Sequence, residues 1–565
     1  MCLTIATRLI AAPNVIIVMP DDMGYGDLGA TGNPVIRTPN LDRLAAESGR
    51  LTDFYVSPVC SPTRACLMTG RYNYRTRAID TFKGRSMMEP AEITLAEALH
   101  ERGYATGIFG KWHLGDNFPM RPQDQGFDEV LVHRGGGLAQ PSEPIENQNR
   151  YTDPILFHNG EQVQAKGYCT DIYFDAAITF MQEKQAAGQP FFVYLTPNAP
   201  HSPYHDVPED LLTYYRSVDL TPVLNGNASE QHRDTVSRVF AMVENIDQNM
   251  GKLERHLEAS GQKQNTLVIF LTDNGPNTAR YVGAFRGMKS NVHEGGVRTA
   301  FFARWPGRIP SGASSDRIAA HIDLMPTVLD ATGTGAPRDV KFDGKSVLPL
   351  LTETADGWPD RPLVLQTHRG NEPVPYHHFT VRTQDWKLVR STGFEHETIH
   401  GEQPFELYRA DDSGERRNVA DEQPEKLAEL KKYYIDWFAD VSSTRPENYA
   451  PPRIVIGSDQ ETITDLSIQD WRVEQSEGWG TDGVWKVRVV DAGPCRARVR
   501  WDKSIGMRKV SLEVGGKAFE SMLRDGESSV EWASITIPTG DFDVRVHVDG
   551  DDETSPLRFV TLERL

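Results

Sequence analysis

The sequence lacks any run long and apolar enough to cross a bilayer, which excludes a helical membrane span. Cysteine is scarce: Cys2, Cys60, Cys66, Cys169 and Cys495 are scattered and odd in number, so they make neither a disulfide framework nor a zinc spacing. Net positive charge is lacking as well. A formal charge of −19 excludes a general binder of nucleic acid or anionic membranes, because a polyanion needs a basic face. A small anion can still be held wherever cations gather locally. No biased tract interrupts a composition of 39% hydrophobic and 25% charged residues, which is that of a folded globular protein. At 565 residues the chain is too long for one ordinary core, so two or more domains are expected.

The first residues, MCLTIATRLIAAPN, carry one basic residue, Arg8, in mid-segment, which makes a poor signal peptide. The compartment therefore stays open: periplasmic or secreted if a signal peptide has been lost, otherwise cytoplasmic. The oligomeric state is equally open.

Asn14 to Pro20 is a continuous apolar run, the pattern of a strand buried on both faces of a parallel sheet. It ends in Asp21 and Asp22, two adjacent carboxylates that repel unless a cation sits between them. In isolation such a pair reads as a solvated turn. The pattern recurs, however. Tyr104 to Phe109 delivers Gly110-Lys111-Trp112-His113, Pro190 to Leu195 delivers a proline-fixed loop around His201, and Asn265 to Leu271 delivers Asp273 and Asn274. Ligands of open α/β sheets bind beyond the carboxyl ends of parallel strands, so these four sets of residues can converge.

Between the first two strands lies CSPTRACLMTGR, residues 60–71. Pro62 suits a first helical turn and Gly70 a stop, which puts Cys60 at the positive end of a helix dipole. Arg64, four residues on, faces the same space. Helices are predicted over 38–49, 92–102, 233–257, 318–332 and 425–441, and a further strand over 299–304. Residues 116–168, rich in Gly, Pro, Asn and Gln, read as a long surface excursion. In the polar loop 285–298, Lys289 is the residue singled out and His293 reads as structural. His368 and Arg369 follow another strand and form a candidate pair for reading an anionic or hydroxylated substrate.

The expected division is an N-terminal extension (1–13), an α/β catalytic domain (14–370), a smaller subdomain (371–442), a linker (443–452) and an all-β domain (453–565). In the last part, alternating runs such as 485–490, 497–501 and 542–548 predict an antiparallel sandwich. Its tryptophans, Trp471 and Trp479 among them, read as core rather than as sugar platforms.

The motif CSPTR followed by LMTGR closely resembles the signature of the type I sulfatases. The series DDMG, CSPTR, GKWHLG, APHSP, TDNG and RGMK…EGG resembles that family in order over residues 14–420. The resemblance implies an alkaline-phosphatase-like α/β fold: a large, mainly parallel mixed sheet flanked by helices, with a smaller α+β subdomain carrying an antiparallel sheet. The sandwich resembles an accessory domain found after some bacterial sulfatases.

The resemblance also implies that Cys60 is converted to formylglycine by a formylglycine-generating enzyme. It implies a Ca2+ ion held by Asp21, Asp22, Asp273, Asn274 and an oxygen of the converted residue 60. Arg64, Lys111, His113, His201 and Lys289 match the residues that bind or activate the sulfate, with His201 as acid for the leaving alcohol and His113 as base. The implied activity is hydrolysis of a sulfate monoester, on a carbohydrate, with aryl sulfates as surrogates. Two alternatives remain at this level: a phosphonate monoester or phosphodiester hydrolase of the same superfamily, and an inactive binder of sulfated glycans.

Overall fold

The computed structural model describes residues 12–226, 228–352, 357–444, 449–473, 478–480, 482–550 and 557–565. Residues 1–11 of the expected N-terminal extension and residues 445–448 of the expected linker lie outside the described residues.

A ten-stranded mixed sheet forms the centre of the molecule. Its five middle strands are parallel, in the spatial order Thr266–Phe270, Asn14–Val18, Phe191–Thr196, Ala105–Lys111, Glu129–His133. Successive side chains of a strand point to opposite faces. Ile16 and Val18 accordingly enter one hydrophobic cluster, packed by the helices Cys169–Ala186 and Glu230–Ala259. Val15, Ile17 and Met19 enter the other, with Ala65, Leu67 and Met68 of the helix Cys60–Thr69. Burial on both faces is why these strands read as unbroken apolar runs.

A second sheet of four antiparallel strands, Leu363–Gln366, Phe379–Arg382, Trp386–Arg390 and Glu406–Arg409, packs against the helix Pro424–Ser442. Beyond it, a five-stranded and a four-stranded sheet enclose one core that includes Trp471, Trp485 and Trp501. Among the described residues of these two sheets, only the pair Ile454–Ile456 and Trp485–Val489 is parallel. Met87 and Met120, from the first part of the chain, complete that core.

Three expectations are corrected. Residues 116–168 are not a surface excursion. Glu129–His133 joins the main sheet in parallel, the hairpin Ile155–His158 and Glu161–Gln164 extends it, and Leu138, Tyr151 and Leu156 are fully buried. These strands are four or five residues long and lie among turn residues, so composition hid them. The helix expected over 318–332 begins at Leu324. Asp323 Oδ2 accepts the Ala320 N–H at 2.8 Å and stabilises a tight turn, while Ala319–Ala320 pairs as a strand. The strand expected over 299–304 is split between two sheets, Arg298–Thr299 in one and Phe302–Arg304 in the other.

Candidate active site

The carboxyl ends of four parallel strands and the start of one helix meet at a single point. The helix Cys60–Thr69 begins at Cys60 and ends where Gly70, at φ 67°, donates to Cys66 O at 2.9 Å. All ten of its residues are buried. Arg64 is fully buried and donates through Nη2 to Asp273 Oδ2 at 2.9 Å and through Nη1 to Lys111 O at 2.8 Å. One guanidinium thus ties the helix to two strand ends, which uses its planar fork as a lysine could not.

The carboxylates are matched to cations. Lys111 Nζ lies 2.5 Å from Asp21 Oδ2, and Lys289 Nζ lies 2.5 Å from Asp22 Oδ1. Asn274 Nδ2 donates to Asp22 Oδ1 at 2.8 Å. His201 Nε2 stands 3.7 Å from Asp22 Oδ2, and His113 Nδ1 stands 3.4 Å from Cys60 Sγ. Asp22 and His113 both hold positive φ, 63° and 61°, a conformation that costs energy in a residue with a Cβ and is concentrated at functional sites.

These groups perturb one another. Burial alone would raise the Asp22 carboxyl, but Lys289, His201 and Lys111 outweigh it and hold it well below the usual carboxylate range. Burial, with the charge of Asp21, pushes Asp273 up to about 6. Burial pushes His201 down to about 3 against the pull of Asp22, and it pushes His113 well down with help from Lys111 and Arg64. The Cys60 thiol is raised by burial, so it is a poor nucleophile in its own right.

The site fits a hard divalent cation. Asp21 Oδ1, Asp22 Oδ2 and Asn274 Oδ1 are buried acceptors with no hydrogen-bond donor, and a buried acceptor left unpaired costs about 1–3 kcal/mol. Ligand atoms of Asp21, Cys60 and Asp273 lie within 4.8 Å of one another, as do those of Asp21, Asp22 and His201. Oxygen donors of this kind suit calcium or magnesium rather than a soft metal.

Every residue expected around residue 60 is therefore brought together: Asp21, Asp22, Arg64, Lys111, His113, His201, Asp273, Asn274 and Lys289. His293 pairs with Glu406 at 3.1 Å, as a structural residue would. His368 is not brought in. It is buried, it stacks on His377, and both its ring nitrogens bond to backbone, at Arg369 O and Val374 N. Arg369 reaches a neighbouring pocket and pairs with Asp80 at 2.6 Å.

Sequence reasoning missed the backing of the two histidines. A Cβ on Gly136 would lie 2.4 Å from His113 Cε1, and one on Gly137 would lie 2.8 Å from His201 Nδ1. The glycine run 135–137 admits both rings by having no side chains, and three consecutive glycines are a signal for such an approach. The other missed group comes from the sandwich. Gln469 Nε2 donates to Thr81 O at 2.7 Å, and that carbonyl also engages His113 Nε2 at 2.8 Å. A carbonyl only accepts, so Nε2 carries the hydrogen of His113 and the Nδ1 lone pair is turned to residue 60. Trp479, read from sequence as core, is half-buried and lines the pocket beside Arg369.

Comparison with known proteins gives two family matches. The profile described as "Sulfatase" matches residues 13–334, and the one described as "N-sulphoglucosamine sulphohydrolase, C-terminal" matches residues 286–434. N-acetylgalactosamine-6-sulfatase of Canis lupus familiaris is 34% identical over 413 residues, covering 67% of this chain and 74% of that one. Arylsulfatase G of the same species is 32% identical over 381 residues, covering 60% and 69%. Among solved structures, Ps i-CgsB superposes with a TM-score of 0.65 at 27% identity, covering 75% of this chain and 92% of that one.

Proposed function

The chain belongs to the sulfatase family, and on that premise we propose that it hydrolyses a sulfate monoester carried by a carbohydrate. The sum of the reaction is ester plus water giving alcohol plus sulfate. The observation that carries the proposal is the convergence on residue 60 of Arg64, Lys111 and Lys289 with two histidines and a set of buried oxygen acceptors. That arrangement concentrates positive charge for an anionic ester inside a protein of strongly negative charge.

In this reading Cys60 is the precursor of formylglycine, whose hydrate supplies one hydroxyl to attack sulfur and a second whose ionisation releases the sulfate. Asp21, Asp22, Asp273 and Asn274 would hold Ca2+, which supplies Lewis-acid charge at the reacting oxygens. Lys111 and Lys289 bind the sulfate oxygens. Arg64 fixes Asp273 and the backbone of Lys111 in register, and it adds charge behind them. Burial keeps His113 neutral, with Nδ1 bare toward residue 60, so it accepts the proton whose loss ends the cycle. His201 starts neutral as well. An anionic ester beside it favours the protonated ring, which then gives its proton to the departing alcohol.

The test uses protein made together with a formylglycine-generating enzyme. Turnover of 4-nitrophenyl sulfate should exceed that of phenyl phosphonate and phosphodiester analogues, and a panel of defined sulfated saccharides should contain a better substrate than the aryl ester. A large preference for phosphorus would sink the proposal. So would sulfated saccharides that bind without being hydrolysed when residue 60 is fully converted.

A further inference from the structure

A pocket of about 780 Å3 opens beside His113, lined among others by Thr81, Phe82, Lys83, Arg85, Arg369 and Trp479. It shares two walls with the reaction centre. The Thr81 carbonyl holds His113 Nε2, and Gln140, also on the pocket wall, accepts the Gly136 N–H at 2.8 Å behind the same ring. The groups assigned above to the sulfate do not line it, so the mechanism leaves this space unused.

Its floor is cationic. Arg85 is 3% exposed; Nη1 donates to Lys83 O at 3.0 Å, while Nε and Nη2 have no partner. Burial, with the charges of Arg472 and Arg369, pushes this guanidinium down to about 10 despite Asp80, which still leaves it charged at neutral pH. Asp80 and Glu397 offset part of the cost of burying this charge, but a buried cation with two unused donors still carries a desolvation cost. Lys83 is also buried, with its ammonium 5.0 Å from the Phe82 ring. The Arg369 guanidinium lies 4.1 Å from the same ring. Trp479 meets Phe82 edge to face at 5.1 Å, so an aromatic wall stands beside the cations. Of the two acidic groups, Glu395 is 71% exposed and pairs with Arg369 at 3.2 Å, and Glu397 is partly exposed. These two acids stand at the rim; Asp80 is buried below, paired through Oδ1 with Arg369, and two donor nitrogens of Arg85 remain without a partner at the floor.

We propose that this pocket binds a second anionic group, a sulfate or a carboxylate, on the same saccharide whose sulfate ester reacts at residue 60, with Phe82 and Trp479 flanking the sugar. The proposal rests on the sulfate-ester reading above. It makes the preferred substrate a multiply charged saccharide, and it makes the C-terminal sandwich, through Trp479, part of the specificity site.

The test has a binding arm and a turnover arm. In the binding arm, inactive Cys60→Ser protein is titrated calorimetrically with three disaccharides that share one sulfate ester: one with no other charge, one with a second sulfate and one with a uronate. The second charge should tighten binding about 10- to 100-fold, and the sulfate and uronate arms tell which anion is read. Adding Arg85→Met, or Lys83→Met if that variant does not fold, should abolish the gain. It should leave the affinity for the singly charged ligand within a few-fold and the unfolding temperature unchanged or higher. Equal affinity for all three ligands, or a gain that survives both substitutions, would overturn the proposal. A merely structural Arg85 would instead lower the unfolding temperature and weaken all three ligands alike. The turnover arm measures kcat/KM on the same sugars with converted protein. Absence of any hydrolysis there counts against the reaction, while the calorimetry still decides the pocket.

Discussion

Gly137→Ala is the sharpest probe of His201, the histidine proposed to serve the leaving group. The added methyl would stand 2.8 Å from Nδ1 and 2.9 Å from Cε1 of His201, well inside van der Waals contact. The ring cannot simply rotate away, because Nδ1 donates to Ser202 O at 2.7 Å and the loop beneath it is pinned where Tyr151 Oη donates to His201 O at 2.5 Å. Either that hydrogen bond breaks or the ring shifts, by something approaching 1 Å. Overpacking of this kind costs about 1–3 kcal/mol of stability, and a shift near 1 Å costs about 10²-fold in rate. The assay is kcat across a series of aryl and alkyl sulfates whose leaving groups differ in basicity. An acid matters most where the alcohol leaves badly, so the loss should approach that figure for alkyl or saccharide sulfates and shrink toward none for 4-nitrophenyl sulfate. A uniform loss across the series, or full activity with an alkyl sulfate, would refute the assignment of His201 as the acid.

Cys60→Ser should fold normally and lose all turnover, and mass measurement of the peptide spanning residue 60 in the active protein should show a species lighter than cysteine; activity in the serine variant, or an unmodified peptide, counts against the nucleophile. Arg64→Met strands Asp273 in a fully buried site and should cost about 3–5 kcal/mol in urea unfolding, with a small shift showing that water or another cation replaces it. Chelation should lower the unfolding temperature as well as activity, and added Ca2+ should restore both, since the buried carboxylates regain their counter-ion. Glu461 supplies a pH test. Burial raises it to about 7 despite Arg121, so the folded state holds the proton more tightly than the unfolded one. Its contribution is complete below about 4.5 and is lost as pH rises through 7, amounting to about 3 kcal/mol at most. Glu461→Gln should flatten the fall in unfolding temperature between pH 5 and 8, and an unchanged slope would show that Glu461 does not carry it.

Asp21, Asp22, Lys111, His113, His201, Asp273 and Asn274 of the candidate site are legible because they follow apolar runs, and a strand buried on both faces leaves its chemistry only at its end. Cys60 was legible for a different reason: Pro62 and Gly70 punctuate its helix. What escaped notice depends on distant pairing. Glu129–His133 is recognisable as a sheet member only once it lies beside Ala105–Lys111. Gln469 reaches His113 across 356 positions of sequence, and nothing local to Gln469 announces it. His368 went astray because strand-end placement says where a residue sits and not which groups its ring nitrogens meet. Trp479 shows the same limit, since a tryptophan in a sandwich reads as core until its neighbour from a distant turn, Phe82, is known.

The depth of the nucleophile helix sets an order of events. Cys60 is 2% exposed and its whole helix is enclosed, so no second enzyme can close around that side chain once the sheet has assembled. For the conversion proposed above, the expected substrate is therefore the nascent or unfolded chain, and a molecule that folds first should stay unconverted and inactive. Incubating folded, unconverted protein with the formylglycine-generating enzyme should leave its mass unchanged, whereas the same treatment of a peptide spanning residues 55–75 should not. The yield of active enzyme is then a race between folding and modification, decided before the last strand is in place.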